Sequence, residues 1–308
     1  MKTVFMFSGQ GAQYAGMGKD LYKNYPVAKE IFDRADNVLG YSIKDICFED
    51  EQKLGETEFA QPAILTMSIA AMKVLEEEGL RADMTAGLSL GEYSAYVASE
   101  AMDFEEAVAL VQKRGKFMAE AVPSGEGAMY AIIGLDTALV EEACAEATAE
   151  GDGLAVPANY NAPGQIVIAG HAQAAKRAAA LAKEKGAKLT VPLKVSGPFH
   201  SALLAEAGKK LKEALEDVTI QPITIPYLTN VTADYVKDPA DVKDYLVRQV
   251  SSSVRWQQTI ERLIADGAEE FVEIGPGRSL SGFMRKINRE VTTCNIDKME
   301  DFNKYVNR

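Results

Sequence analysis

The chain has 308 residues, enough for one large domain or two unequal ones, and its 47% hydrophobic and 25% charged residues are typical of a globular enzyme. A formal net charge of −12 argues against general nucleic-acid binding, and no apolar run reaches the roughly 18 residues that a membrane-spanning helix needs. The three cysteines, Cys47, Cys144 and Cys294, are odd in number and far apart, which fits neither a disulfide framework nor a zinc site and favours the reducing cytoplasm.

The first predicted elements alternate between strands and helices. An apolar run at residues 4–7 predicts a short buried strand, and apolar residues at helical spacing predict a helix over residues 62–78. A short segment at residues 85–87 then leads through a tight turn into a second helix, which begins near Gly91. Strands, sharp turns and helices in this order indicate an α/β fold with a mainly parallel sheet.

A glycine turn follows the first strand. Gly9 and Gly11 flank Gln10, but Tyr14 stands where a dinucleotide-binding fingerprint would place its third glycine, so that function is excluded. The turn can present the backbone N–H of Gln10 to a developing oxyanion, or it can simply connect a strand to a helix. The pattern alone does not separate these two interpretations.

The middle of the chain has a different composition and predicts a separate unit. Strands and Ala/Glu-rich helices follow one another in the order β-α-β-β-α-β, which is the order of the ferredoxin-like fold. We therefore predict a ferredoxin-like small domain at residues 125–195, inserted into a larger one. Its predicted strands and helices cover residues 127–135, 136–150, 154–160, 165–169, 171–185 and 188–193.

The chain after the insert returns to the α/β pattern. The predicted large domain is therefore discontinuous, residues 1–124 with 196–308, and is expected to resemble an α/β-hydrolase in its parallel sheet. The elements predicted after the insert are helices at residues 201–216, 240–250 and 254–265, strands at residues 223–228 and 270–274, and one final helix after the turn at residues 275–277.

The strongest local motif is the G-x-S-x-G sequence at residues 87–91. On a corner between a strand and a helix, this pattern is the nucleophile elbow, in which flanking glycines permit a strained turn that exposes the hydroxyl of Ser89. The backbone N–H of Leu90 would then stand at a helix N-terminus, where a developing oxyanion is favoured. The alternative is a tight turn whose serine caps the next helix.

A serine nucleophile needs a base, and the chain has two histidines. His171 begins an amphipathic helix of the small domain, which indicates a surface or capping residue. His200 lies in a turn-rich junction where the chain returns to the large domain, and clefts form at such junctions. A lone histidine is more often structural than catalytic, but with Ser89 as a partner His200 is the predicted base.

Seven segments together resemble one family, the malonyl-CoA:acyl carrier protein transacylases of bacterial type II fatty-acid synthesis. They occur in the family's order between about residues 3 and 290, which makes the resemblance far more specific than any single motif. The segments are residues 7–13, 87–95, 113–115, 159–165, 197–201, 254–256 and 273–277.

The resemblance implies a role for individual residues. Ser89 would be the nucleophile, His200 its base, and Arg114, which by its position alone would be a solvated helix residue, would bind the malonyl carboxylate. The main-chain carbonyl of Gln249 would orient the histidine in place of the usual aspartate, and the bulky Phe199 would favour malonyl over methylmalonyl groups. The implied donors of the oxyanion hole are the N–H groups of Gln10 and Leu90.

Two positions depart from the family's pattern. Leu88 precedes the serine where the family usually has histidine, which puts the polar contacts around the elbow in doubt. Ser253 stands where a proline is common, and we expect this change to alter only a loop. Neither change removes the serine, its turn or its base.

The expected reaction is a ping-pong acyl transfer. The enzyme would take a malonyl group from malonyl-CoA onto Ser89 and pass it to the phosphopantetheine thiol of an acyl carrier protein, as a cytoplasmic monomer with no metal or redox cofactor. One alternative is a serine hydrolase or thioesterase of the α/β-hydrolase type, but that fold places its histidine near the C-terminus, and more than 100 residues follow His200. A second alternative is a scaffold that binds acyl carriers without turnover.

A cationic segment near the C-terminus is the predicted docking surface for the carrier protein. Acyl carrier proteins are acidic as a class and this chain is itself at −12, so docking requires a local cationic patch. Arg285 and Lys286, together with Arg278 and Arg289, fall within twelve residues at the predicted final helix. The alternative is a solvated helix face whose cations favour the helix C-terminus.

Overall fold

The computed structural model describes residues 2–195 and 197–308. Met1 and Ser196, the first residues of the two segments of the predicted large domain, lie outside the described residues. The strands are β1 (Lys2–Phe7), β2 (Met84–Gly87), β3 (Gly127–Ile133), β4 (Ala155–Ala162), β5 (Gln165–His171), β6 (Leu189–Pro192), β7 (Ala268–Ile274) and β8 (Thr292–Ile296). The α-helices are α1 (Lys19–Asn24), α2 (Pro26–Leu39), α3 (Ile43–Glu49), α4 (Glu51–Leu54), α5 (Thr57–Glu77), α6 (Gly91–Ala98), α7 (Phe104–Glu120), α8 (Thr137–Ala149), α9 (Ala172–Glu184), α10 (Ala205–Ala214), α11 (Val242–Ser251), α12 (Trp256–Ala265), α13 (Ser279–Ile287) and α14 (Met299–Val306).

Four strands form a parallel sheet in the order β2-β1-β7-β8. The central strand β1 is buried along residues 4–7, as expected of a parallel strand that is covered on both faces. The register sets the ends of three strands side by side, because Phe7 lies opposite both Gly87 and Ile274. The turns after these strands therefore meet at the carboxyl edge of the sheet, where open α/β folds bind their ligands.

The other four strands form an antiparallel sheet in the order β4-β5-β3-β6. Its elements follow the predicted order β-α-β-β-α-β. The two helices between the strands, α8 and α9, bury mainly alanine, and these small side chains let the helices pack closely on the sheet. Tyr160 N donates to Val254 O at 2.9 Å, which ties this sheet to the chain segment that precedes α12.

The longest helix, α5, is buried on nearly all sides rather than amphipathic. It begins at Thr57, five residues before the predicted start, and Pro62 lies inside it. Among the helices that the structure describes, none has both the length and the apolar character needed to cross a bilayer.

The strand predicted at residues 223–228 is not formed. Beside β2, this segment makes an isolated parallel bridge between Tyr227 and Thr85. Pro226 stands in the middle of the apolar residues, and proline has no N–H to donate to a ladder. The prediction was therefore wrong, although Pro226 O still accepts a hydrogen bond from Thr85 N at 2.9 Å.

The helix predicted after residues 275–277 is present as α13, but it is not the final element. β8 and α14 follow it, and β8 becomes the fourth strand of the parallel sheet. The sequence of β8 offered no signal, because its residues are mostly polar and half-buried at the edge of the sheet. The helices α1 to α4 were not predicted either.

Candidate active site

Ser89 lies at the predicted elbow, between β2 and α6. Its backbone φ of 53° is a left-handed conformation, which is strained for a residue with a side chain. The flanking glycines permit this turn, because a Cβ on Gly87 would overlap the backbone of Gly91, and a Cβ on Gly91 would overlap the carbonyl of Phe7. Ser89 N donates to Asn230 Oδ1 at 2.7 Å, which holds the turn from its other side.

The fold brings Ser89 together with His200 from 111 positions away in the chain. Ser89 Oγ lies 2.7 Å from His200 Nε2, and His200 Nδ1 lies 2.9 Å from the main-chain oxygen of Gln249. Since a carbonyl oxygen only accepts, Nδ1 carries the proton and Nε2 presents its lone pair to the serine hydroxyl. Burial, and next the charge of Arg114, lower the pKa of His200 to about 4, so the ring is neutral at neutral pH and able to accept a proton.

Arg114 is buried, contrary to the interpretation of it as a solvated helix residue. Its side chain on α7 is 1% exposed. One terminal nitrogen donates to Gln61 Oε1 at 2.7 Å, and the other donates to Ser89 Oγ at 3.2 Å and to Gln249 Oε1 at 3.0 Å. The guanidinium carbon also lies 5.3 Å from the centre of the Tyr93 ring. A cation is therefore fixed directly beside the serine hydroxyl.

The guanidinium of Arg114 forms no salt bridge with any carboxylate among the described residues, and its Nε has no hydrogen-bond partner there. Burial lowers the pKa of Arg114 from its ordinary value. A buried cation that lacks a directly bonded anion is costly, and an anionic ligand removes that cost. The site is thus arranged to receive a negatively charged group next to the nucleophile.

Ser89, His200 and Arg114 line a cleft of about 450 Å³, a size common for small-molecule sites. The cleft is lined by the turns that follow β1 and β2 and by strands of the antiparallel sheet, so it lies between the two units of the fold. Asn161 is 7% exposed, and its Oδ1 has no partner among the described residues, which leaves a further acceptor in the lining. The antiparallel unit contributes Met129, Ala131, Asn159, Asn161, Gln165 and Val167.

The predicted oxyanion donors lie in two turns that touch. A Cβ on Gly9 would stand 2.5 Å from Leu88 O, so the turn after β1 rests on the turn after β2. Gln10 and Leu90 both line the cleft. In the described part of the chain, neither of their N–H groups donates to a backbone acceptor.

Phe199 is 7% exposed and lines the cleft directly before the histidine. Leu88 also lines the cleft, and its N–H donates to Phe7 O at 3.1 Å, so the elbow backbone is held without a polar side chain at this position. Ser253 Oγ donates to Pro157 O at 2.7 Å. This second departure from the family's pattern therefore adds a link to the antiparallel unit.

Three buried polar residues that the sequence did not single out complete the site: Gln61, Glu92 and Asn230. Gln61 accepts from Arg114, and Asn230 also donates through Nδ2 to Gly87 O at 2.6 Å. Glu92, on the first turn of α6, is fully buried. Each is a polar residue with apolar neighbours in the sequence. This weak signal does not distinguish a site residue from a core residue whose hydrogen bonds are all made within the protein.

His171 lies outside the site, in agreement with its interpretation as a structural residue. It ends β5 and precedes α9. Its Nδ1 accepts a hydrogen bond from Leu154 N at 2.9 Å, so the ring holds the chain before β4.

The cations of the predicted docking surface are exposed on α13 and its flanks. Lys286 Nζ donates to Gln165 Oε1 at 2.7 Å, and Gln165 lines the cleft. The helix α13 also contributes Ser279, Leu280 and Phe283 to the same cleft. Lys286 therefore stands next to the cleft lining, and Arg285 is its neighbour in α13.

Comparisons with known proteins agree on one family. Residues 4–296 match the acyl transferase domain. The chain is 48% identical to the malonyl CoA-acyl carrier protein transacylase of Bacillus subtilis (strain 168), over 97% of this chain and 94% of that protein. The crystal structure of MCAT from Streptococcus pneumoniae is similar with a TM-score of 0.95 and 46% identity, covering 99% of both chains. A malonyl-transacylase in complex with its type II PKS acyl-carrier protein is similar with a TM-score of 0.96 and 38% identity, covering 100% of this chain and 99% of that one.

Proposed function

The chain belongs to the acyl transferase family and, within it, to the malonyl-CoA:acyl carrier protein transacylases, and we propose that it transfers the malonyl group of malonyl-CoA to the phosphopantetheine thiol of an acyl carrier protein. The product supplies fatty-acid synthesis. One observation carries the proposal: a serine hydroxyl 2.7 Å from a neutral histidine is also bonded to a buried guanidinium. That pairing suits an acyl group that ends in a carboxylate.

The proposed reaction proceeds in two half-reactions through an ester on Ser89. His200 Nε2 accepts the hydroxyl proton while Ser89 Oγ attacks the thioester carbonyl. The N–H groups of Gln10 and Leu90 stabilise the resulting oxyanion, and the carbonyl of Gln249 holds the imidazolium. CoA then leaves as a thiol with the proton from the imidazolium. The carrier thiol, deprotonated by the neutral ring, attacks the ester in the reverse sense and restores the free serine.

Arg114 and Phe199 are proposed to select the acyl group. The planar fork of a guanidinium binds a carboxylate through two hydrogen bonds, and a lysine does not reproduce this geometry. Phe199 lines the cleft beside the base, where its ring limits the space available for a branch on the acyl chain. Selection would thus combine one attraction with one steric restriction.

The proposed reaction exchanges an acyl group between a thiol and a hydroxyl, so no electron transfer is involved and no metal or redox cofactor is required. We propose that the protein acts in the cytoplasm as a monomer. The three cysteines are free thiols in the structure, which suits a reducing compartment.

At the level of the fold, we propose that the parallel unit is α/β-hydrolase-like and comprises residues 1–124 and 196–308. The elbow after a parallel strand supports this assignment. We propose that residues 125–195 are a ferredoxin-like domain, supported by the element order β-α-β-β-α-β and by the strand order of its sheet.

The first test separates transfer from hydrolysis, the reaction of the alternative serine hydrolase. With malonyl-CoA and no acceptor, CoA release should stop after a single equivalent per protein, because the ester on Ser89 is not cleaved until a thiol acceptor attacks it. Addition of a carrier protein that bears phosphopantetheine should restart release and yield malonyl-carrier in equal amount. Continuous CoA release without an acceptor would identify a hydrolase, and a carrier without phosphopantetheine is the control.

We propose that the carrier protein docks on the exposed cations of α13, with Arg285 and Lys286 as its main contacts. The position of α13 beside the cleft and the acidic character of carrier proteins support this surface. A complex of a similar transacylase with its carrier protein supports the class of partner.

Reversal of both charges, Arg285→Glu with Lys286→Glu, should raise the KM for the carrier protein about tenfold and weaken its dependence on salt, since rim charges act mainly on association. Transfer to free pantetheine should be unchanged. The matched control is Lys23→Glu with Lys29→Glu, two exposed cations that do not line the cleft. An equal loss with both acceptors would contradict a docking role for α13.

A further inference from the structure

The buried carboxylate of Glu92 lies behind the nucleophile and is not used by the mechanism above. It is fully buried on the first turn of α6 and does not line the cleft. Its Oε1 accepts from Tyr96 OH at 3.0 Å, and its Oε2 accepts from Asn230 N at 3.1 Å and Gln249 Nε2 at 2.7 Å. Burial raises the pKa of Glu92 from its ordinary value, whereas the donors Gln249 Nε2 and Asn230 N lower it by favouring the ionised carboxylate.

The partners of Glu92 are the residues that hold the reacting groups. Gln249 Nε2 donates to Ser89 O at 2.9 Å as well as to Glu92, and its Oε1 accepts from Arg114 at 3.0 Å. The same residue presents its main-chain oxygen to His200. Through Gln249 alone, Glu92 is therefore connected to the residues of the nucleophile, the base and the guanidinium.

Asn230 carries a second connection from Glu92 to the elbow. Its backbone N–H donates to Glu92, and its side chain bonds both the N–H of Ser89 and the carbonyl of Gly87. Asn230 thus fixes the strained turn on the two sides of the serine. Glu92 holds the main chain of Asn230 in the position from which its amide reaches the turn.

An ionised carboxylate controls which way the Gln249 amide faces. A carboxamide can rotate by half a turn and exchange its donor and its acceptor, and only its partners decide between the two orientations. Because Glu92 only accepts, it holds the NH₂ group of Gln249 on its own side and turns the oxygen of Gln249 towards Arg114. With a donor at position 92, the NH₂ group of Gln249 would keep only Ser89 O as its acceptor, so the orientation of the amide towards the guanidinium would be held less firmly.

We propose that Glu92 is a positioning residue, whose carboxylate orients the Gln249 amide and thereby aligns the Arg114 guanidinium for the carboxylate of the acyl group. This inference rests on the proposed function, because it assigns selectivity to the same site. Glu92 touches neither the cleft nor the reacting atoms and acts through the two amides. The alternative is a buried acid that only stabilises the fold.

The test compares malonyl and acetyl transfer in Glu92→Gln. The glutamine side chain has the same length as glutamate, but it donates hydrogen bonds as well as accepting them. We expect kcat/KM for malonyl-CoA to fall about tenfold to a hundredfold, the range for loss of a hydrogen bond to a charged group. The fall for acetyl-CoA should be at least about tenfold smaller, because an acetyl group does not use Arg114. Ser94→Ala is the matched control, since Ser94 is buried on the same helix and its hydroxyl has no partner among the described residues.

A double variant separates positioning from general destabilisation. In an Arg114→Ala background, Glu92→Gln should no longer change the malonyl-to-acetyl ratio, because two residues that act as one unit are not additive. If Glu92→Gln does not fold, Tyr96→Phe removes one donor to the same carboxylate and should shift the ratio in the same direction by about threefold.

An equal loss for both acyl groups would mean that Glu92 serves only the fold. A malonyl rate that rises relative to acetyl would mean that its charge merely opposes a second anion, and this too would overturn a positioning role. Either result leaves the proposed function intact as long as the unaltered protein still forms malonyl-carrier. Absence of malonyl-carrier with the unaltered protein would instead contradict the proposed function itself.

Discussion

Ser89→Ala should leave no acyl-enzyme when the protein is mixed with malonyl-CoA in the absence of an acceptor. The hydroxyl that bonds His200 Nε2 is the proposed site of the ester, and alanine removes this oxygen. Intact-protein mass spectrometry should therefore show a malonyl adduct on the unaltered chain and only the free mass on the variant. Transfer to a carrier protein should fall by about four orders of magnitude or more, as expected when a covalent nucleophile is removed.

The fold should tolerate this change. Alanine has the same Cβ as serine, so the left-handed turn at φ 53° becomes no more crowded, and the N–H of residue 89 can still donate to Asn230. Ser279→Ala is the matched control, because Ser279 lines the same cleft but lies on α13. Accumulation of an adduct on Ser89→Ala at the normal rate would show that another residue carries the acyl group.

Arg114→Ala should separate malonyl from acetyl transfer. The proposed carboxylate of a malonyl group would enter a buried site without its cation, and breaking a buried ion pair costs about 3 to 5 kcal/mol. This corresponds to a fall in malonyl transfer of about two to four orders of magnitude. Acetyl transfer has no carboxylate to pair and should fall far less. The measurement is kcat/KM for both acyl-CoA substrates with one preparation of each variant.

Two further substitutions in α7 serve as controls for this comparison. Lys113→Ala removes an exposed cation next to Arg114 and should leave both rates unchanged. Arg114→Lys keeps the charge but loses the planar fork, so its malonyl rate should lie between those of the unaltered chain and Arg114→Ala. Equal losses of malonyl and acetyl transfer in Arg114→Ala would show that the arginine supports the structure of the cleft rather than its selectivity.

The elements of the fold that were predicted from sequence are those with a strong local pattern. Three features depend only on neighbouring residues in the chain and can therefore be predicted without a structure. They are the apolar run of β1, the helical spacing in α5 and the glycine-bounded turn before α6. The error at residues 223–228 arose because an apolar run was weighed without the effect of Pro226 on strand pairing. β8 was missed because pairing with β7, and not its own composition, makes it a strand.

At the site, the sequence by itself determined the chemical groups: a serine in a turn that only glycines permit, a histidine at a junction and, through the resemblance, an arginine. The structure alone decided that they meet. Ser89 and His200 are 111 residues apart, and the 2.7 Å between their side chains joins the turn after β2 to the segment between β6 and α10, a contact that no local pattern predicts. The burial of Arg114 and the bonds of Glu92 are likewise tertiary facts. A sequence pattern records which residues are polar, whereas hydrogen bonds and desolvation depend on what the folded chain packs around them.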